Sequence, residues 1–225
     1  MPRPGVITRA WAAASGSSRA SRGPGIKKPR EPSPWRALRA KLLADGAHYD
    51  ELVAKVVAEA RVSVWIATAN LKSMLVAPPP SMTPSGRPSR RTRYVSFFET
   101  LADKAARGVE VRLLHASPPS GPLARDIAGL GARAKPVEVR QCPRVHLKLI
   151  AVDGAMLYLG SANVTGAGLG AKGDGKRNFE MGVLTDDEGM LDAAQARFDA
   201  IWRGAECAGC KVRDVCPGPL DERAS

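Results

Sequence analysis

The sequence predicts an α/β fold, a mixed β-sheet sandwiched between helices in α-β-α layers, and three observations carry that prediction. Segments that alternate like strands (62–69, 109–115, 137–140, 155–159 and 179–184) are interleaved with segments of helical spacing (94–107, 122–130 and 187–202). The 225 residues suit one well-packed domain with tails and are too few for two catalytic domains of this kind. Hydrophobic content of 44% is that of a globular chain, and no apolar run reaches the roughly 18 residues of a membrane span.

The elements follow in chain order. Residues 1–34 read as a disordered basic tail, although an organelle transit segment shares that composition. Residues 33–44 read as a short helix with Trp35, Leu38 and Leu42 or Leu43 on one side. Asp50 is placed to cap a second helix running to about Ala60, in which Leu52, Val53, Val56 and Val57 recur at helical spacing. Residues 62–69 alternate as a strand. Residues 77–93, with Pro78, Pro79, Pro80, Pro84 and Pro88, exclude a helix or an inner strand and read as a long basic loop. A helix over 94–107 stops at Gly108, a strand follows to His115, and a helix over 122–130 stops at Gly131. Apolar residues from Val145 to Val152 form a β-like run broken on one face by His146 and Lys148. A glycine-rich loop spans 163–177. The last helix, 187–202, sets Leu191, Ala194, Phe198 and Trp202 on one face, and residues 205–225 form a cysteine-rich tail.

The chemistry concentrates in His146-Leu147-Lys148, Asp153 and the Gly160-Ser161-Ala162-Asn163 turn. Residues two apart in an extended segment point to one side. An imidazole and an ammonium placed together are costly to bury unless an anion lies between them, which points to a phosphate site. The pattern H-x-K-x4-D-x6-G-S-x-N resembles the signature of the phospholipase D superfamily, and the following Arg177-Asn178-Phe179-Glu180 resembles its small bacterial endonuclease branch. The likeness spans roughly residues 47–203 and implies the same layered fold and a phosphodiester hydrolase. Under it, His146 is the nucleophile, forming a phosphohistidine that water resolves. Lys148 holds the phosphate oxygens, and Ser161 and Asn163 donate hydrogen bonds to them. Glu180 is a candidate to orient a histidine ring, and Asp153, past the strand end, is expected in an ion pair or a turn.

Superfamily chemistry uses two histidines, one to attack and one to protonate the leaving oxygen. No second H-x-K exists here, since His48 precedes Tyr49-Asp50 and His115 precedes Ala116-Ser117. A two-fold homodimer with paired His146 residues is therefore expected. No cofactor is needed for catalysis.

The net charge of +12 is unevenly placed. Seven positive charges and no acid fall in residues 1–30, and Arg87, Arg90, Arg91 and Arg93 add four more, so these two segments hold eleven of the twelve. Such arms favour nucleic acid and serve an anionic lipid surface equally. The preferred reading is a metal-independent nuclease; the alternative is a phospholipase or a phosphatidyltransferase of the cardiolipin synthase kind. A cytoplasmic location is expected. Finally, Cys207-x2-Cys210-x5-Cys216 in the tail, joined by Cys142, is expected to bind structural zinc or a [4Fe–4S] cluster.

Overall fold

The structure is a computed structural model that describes residues 37–77 and 94–223. Expectations for the tail at 1–34 and for most of the Pro-rich loop fall outside those residues. A seven-stranded mixed sheet carries the molecule, in the order β1-β9-β8-β7-β2-β5-β6. Its strands are β1 (Ala40–Ala44), β2 (Ser63–Thr68), β5 (Glu110–His115), β6 (Glu138–Gln141), β7 (Leu149–Val152), β8 (Met156–Gly160) and β9 (Met181–Thr185). Strands β2, β5 and β6 run parallel, and every other pairing is antiparallel. A short ribbon of β3 (Leu75–Val76) and β4 (Val95–Ser96) stands apart from the sheet.

Alternation along the central strands builds two cores. Val64 and Ile66 of β2, Ile150 and Val152 of β7, and Tyr158 of β8 face one layer, which holds Leu52, Val53 and Val57 of a π-helix (His48–Val57) and Leu101 of α1 (Phe97–Ala105). Helix α2 (Gly121–Leu130) adds Leu123 to that layer. Ala67, Leu149, Ala151 and Leu157 face the other layer, against Leu191, Phe198 and Trp202 of α3 (Glu188–Trp202). Phe198 stacks with Trp65 and with Trp202, at ring-centroid distances of 5.3 and 5.6 Å. Asp187 caps α3 by accepting from the Met190 amide at 2.8 Å.

One end of the sheet is locked by Asp153. With Gly154 and Ala155 it forms the three-residue tip of the β7–β8 hairpin; Asp153 and Gly154 both lie in the left-handed region, at φ 56° and 62°, and the Ala155 amide closes the turn on the Val152 carbonyl at 3.0 Å. Its carboxylate accepts from the backbone amides of Arg61, Val62 and Ser63 at 2.7 to 3.1 Å, tying the start of β2 to the end of β7. Burial pushes this carboxyl upward, but the three amide donors and the Lys104 charge outweigh it and hold the pKa below the usual value. Buried Lys104 donates to the carbonyls of Ala58 and Ala60 at 2.7 and 3.1 Å, closing the C-terminal end of the π-helix.

Several elements differ from the sequence reading. The expected helix at 33–44 is, over Ala40–Ala44, an edge strand paired with β9; Leu43 alone of that strand is buried, while Leu38 and Leu42 are exposed. Strand pairing with a partner 140 residues away overrides local spacing. Asp50 does not cap: the helix begins earlier, at His48, with Ala47 before it and no side-chain cap. Its wider turn brings His48, Leu52, Val53 and Val57 onto one buried face. The β-like run at 145–152 pairs only from Leu149, so His146 and Lys148 lie in the segment leading into β7. Asp153 takes the turn role rather than an ion pair with an arginine or lysine.

Asp153→Ala is expected to lower unfolding free energy by about 2 kcal/mol, because it strands three amides and empties a left-handed position. The sign with pH follows from the depressed carboxyl. Its contribution is complete above the unfolded value of about 4 and is lost as pH falls through the lower folded value. Urea titrations should therefore show the gap between wild type and Asp153→Asn, which keeps the turn, narrowing from pH 7 to pH 3.

Candidate active site

The ends of β1, β2, β5, β6 and β8 and the starts of β7 and β9 converge at the edge opposite Asp153. His146 is exposed there and Lys148 is half-buried. The Lys148 ammonium reaches back to the imidazole, with Nζ 3.1 Å from Nδ1 and 3.2 Å from Nε2, and donates to the His146 carbonyl at 3.0 Å. No carboxylate forms an ion pair with Lys148 among the described residues. A half-buried cation without a counter-ion, beside an imidazole, is a ready anion site.

The Gly160-Ser161-Ala162-Asn163 turn is anchored on both sides. Gly160 donates to the Lys148 carbonyl at 3.2 Å, which sets the end of β8 against the His146–Lys148 segment. Gly160 and Gly182 leave room for the buried Tyr158 ring, which lies where a methyl group on either would fall. Burial pushes the Tyr158 phenol up to about 12, so it stays neutral. Asn163 Oδ1 accepts from the Asn70 amide at 3.0 Å and lies 3.2 Å from the Thr68 hydroxyl, while that hydroxyl accepts from the Val164 amide at 3.0 Å. The carbonyl side of Asn163 is thus committed to β2, which orients its amide group as a donor.

Glu180 is buried and differs from expectation in its partners. It accepts from the Ser161 hydroxyl and, at 3.0 Å, from Asn178 Nδ2, and no histidine bonds to it within this chain. Its backbone exchanges hydrogen bonds with Asp45, amide to Asp45 Oδ1 and carbonyl from the Asp45 amide, both 3.0 Å. Ser161 in turn accepts from the Met181 amide at 3.1 Å. The structure therefore brings His146, Lys148, Ser161, Asn163 and Glu180 to one edge and sends Asp153 to the other. Sequence reasoning missed Asp45, Thr68 and Asn70, and it placed Asn178 in the segment that carries Glu180 without giving it a role of its own. Asn178 alone left a local signal, two residues from Glu180 on one side of an extended segment.

The other two histidines are inside. His48 has no exposed surface; its Nδ1 lies 2.9 Å from the Asp45 carbonyl and its ring meets Tyr158 edge-on. His115 is 3% exposed, and its Nδ1 lies 2.8 Å from the Ser117 carbonyl. Burial lowers its pKa, with the bond to Ser117 opposing, and favours the neutral ring.

The four cysteines meet at a separate place. Cys142, Cys207, Cys210 and Cys216 are half-buried, reduced, and line one cavity. Among the described residues no three His, Cys, Asp or Glu side chains are drawn together as a single-ion shell. No helix among them is long and apolar enough to cross a membrane.

A family model described as cardiolipin synthase, PLD-like domain matches residues 53–202, two-thirds of the chain, including His146, Lys148, Ser161, Asn163 and Glu180 but not β1 or Asp45. The chain belongs to the phospholipase D-like family. It is a phosphodiester-cleaving enzyme of that superfamily. None of the curated proteins compared matches it. Among solved structures it is similar to Nuc, a phospholipase D family member from Salmonella typhimurium, at 18% identity and TM-score 0.48, covering 73% of this chain and 95% of that one. NucT from Helicobacter pylori is similar at 16% identity and TM-score 0.48, covering 72% and 94%. The archaeal chromatin protein TrmBL2 is similar at 13% identity and TM-score 0.47, covering 73% and 52%.

Asn163→Ala is expected to reduce turnover by about a hundredfold, the usual loss when one donor to developing oxyanion charge is removed. Stability should fall by only about 1 kcal/mol as the Asn70 amide loses its acceptor. Steady-state kinetics beside urea unfolding checks both, and wild-type turnover would take Asn163 out of the chemistry.

Proposed function

We propose that this enzyme is a metal-independent nuclease that works through a phosphohistidine on His146 and completes its site by homodimerisation. The observation that carries this reading is the state of the three histidines. His146 is exposed, whereas His48 and His115 are sealed in the core with Nδ1 turned to a carbonyl. One chain therefore offers one nucleophile and no imidazole to serve as the acid.

The steps follow from that count. A ring nitrogen of His146 attacks phosphorus and the bond to the leaving oxygen breaks, with the protonated His146 of a second copy giving that oxygen its proton. Water then attacks the phosphohistidine, the P–N bond breaks, and the second imidazole takes the water proton. Both histidines return to their starting states. Lys148 and the Asn163 amide stabilise the charge on the non-bridging oxygens throughout. Glu180 fixes the Ser161 hydroxyl and the Asn178 amide at the rim.

A surface beside the site suits the second copy. Phe179 is 96% exposed, and Met181 of β9 lies with exposed Leu42 of β1 on the face that α3 leaves uncovered at this edge. Apolar side chains in such a run favour a protein partner. Substrate class is read from charge, since eleven of twelve net positive charges belong to residues 1–30 and 77–93. A lipid phosphodiester is the second reading, favoured by the same exposed Phe179 and by the description of the matching family.

Plasmid DNA and labelled phosphatidylglycerol, each incubated with the protein in EDTA, test the proposal. EDTA-resistant nicking should fall by at least about a thousandfold in His146→Ala, and denatured wild type should carry acid-labile phosphate after a quench. Headgroup release without nicking would replace the nuclease reading with the lipid one, and dependence on added metal would end both.

A further inference from the structure

The segment after α3 holds itself together poorly. Of residues 203–222 only Gly204 and Leu220 are buried, and the regular structure is two single 3-10 turns, Arg213–Val215 and Leu220–Arg223. One leucine side chain contributes about 1.5–3 kcal/mol when buried, far less than the entropy of ordering some twenty residues. Segments of this size acquire a fixed shape through a covalent or metal staple. Here the chain places Cys207, Cys210 and Cys216 around one cavity of about 20 Å³, against Leu220, and the body of the enzyme supplies Cys142 to the same cavity.

The surroundings fit a centre of negative charge. Four thiolates around a divalent zinc, or around a doubly charged four-iron cluster, leave a net charge of −2. Arg144 lies within electrostatic reach of Cys210 and Cys142, and Arg213 of Cys207. The walls are otherwise apolar, from Pro143, Val212 and Leu220. The sulfurs stand around the cavity rather than closed on one point. Thiolates in this arrangement would draw inward around zinc or around an iron–sulfur core.

We propose that Cys142, Cys207, Cys210 and Cys216 ligate a thiophilic metal centre that staples the C-terminal segment to the turn presenting the catalytic histidine. Cys142 donates its amide to the His115 carbonyl at 2.8 Å and accepts from the Val145 amide at 3.0 Å, so its position sets the chain one residue before His146. Metal held there fixes the entrance to the site without touching substrate. The centre stands on the cysteines alone and is independent of the substrate and the dimer.

Metal analysis of untagged, full-length protein purified without oxygen tests it. The expected result is about one zinc per chain, or about four irons with matching acid-labile sulfide and visible charge-transfer absorption. The two arms decide which metal. The double variant C207S/C210S should lose that content and be cut within 204–223 at least about tenfold faster by a protease; chelation of the wild-type protein should produce the same cleavage if the variant does not fold. Wild-type protein with four titratable thiols and far less than one equivalent of any metal overturns the proposal. So does a centre retained in full by C142S together with C207S/C210S.

Discussion

The register of β2 against β7 is the constraint on which the active edge depends. Their last pair is Ala67 with Leu149, so Thr68 at the end of β2 and Asn70 just beyond it lie past the point where Lys148 and His146 lead into β7. A slip of one residue would turn His146 and Lys148 to the opposite face of the sheet. The carboxylate of Asp153 prevents that slip from the far end by gathering the three amides that open β2. Charge and left-handed backbone at a hairpin tip thus position chemistry four residues of strand away.

At the active edge, each polar group is held by one that does no chemistry. Asn163 is oriented through its carbonyl by Asn70 and Thr68, and Glu180 is held by Asp45 while it holds Ser161 and Asn178. His146 and Lys148 are the exception, since they contact each other. Lys148 has no carboxylate partner among the described residues, and Glu180 is engaged by Ser161 and Asn178. The same economy explains the signature glycine: Gly160 is small because the Tyr158 ring fills the space a side chain would take. Its role is to let the turn approach the sheet closely, and only then to shape the site.

Much of this was legible in the residues. The strands at 62–69 and 109–115, the helix between them and the face of α3 follow from alternation and helical spacing, and the one-sided interruption of an apolar run marks His146 and Lys148. Residue Leu43 shows where that reading stops: in 40–44 a single buried side chain gives no periodicity, and pairing with β9 decides the conformation. Glu180 shows a second limit. Its position was visible, but its partners come from Ser161 and Asn178, whose approach depends on the path of a loop without apolar pattern. Cysteine spacing pointed to a common site for Cys207, Cys210 and Cys216 with Cys142 as the fourth thiol, and the fold brings Cys142 to that cavity from the sheet end that carries it.

What joins these parts is that one folded chain offers a single reachable imidazole to the two-histidine reaction proposed above. Sedimentation equilibrium of the wild-type protein, run at the concentrations used for activity, tests that most directly. The account requires the active species to have twice the 23.8 kDa mass of one chain, with specific activity falling on dilution as subunits separate. A 23.8 kDa species whose specific activity is independent of concentration would contradict it.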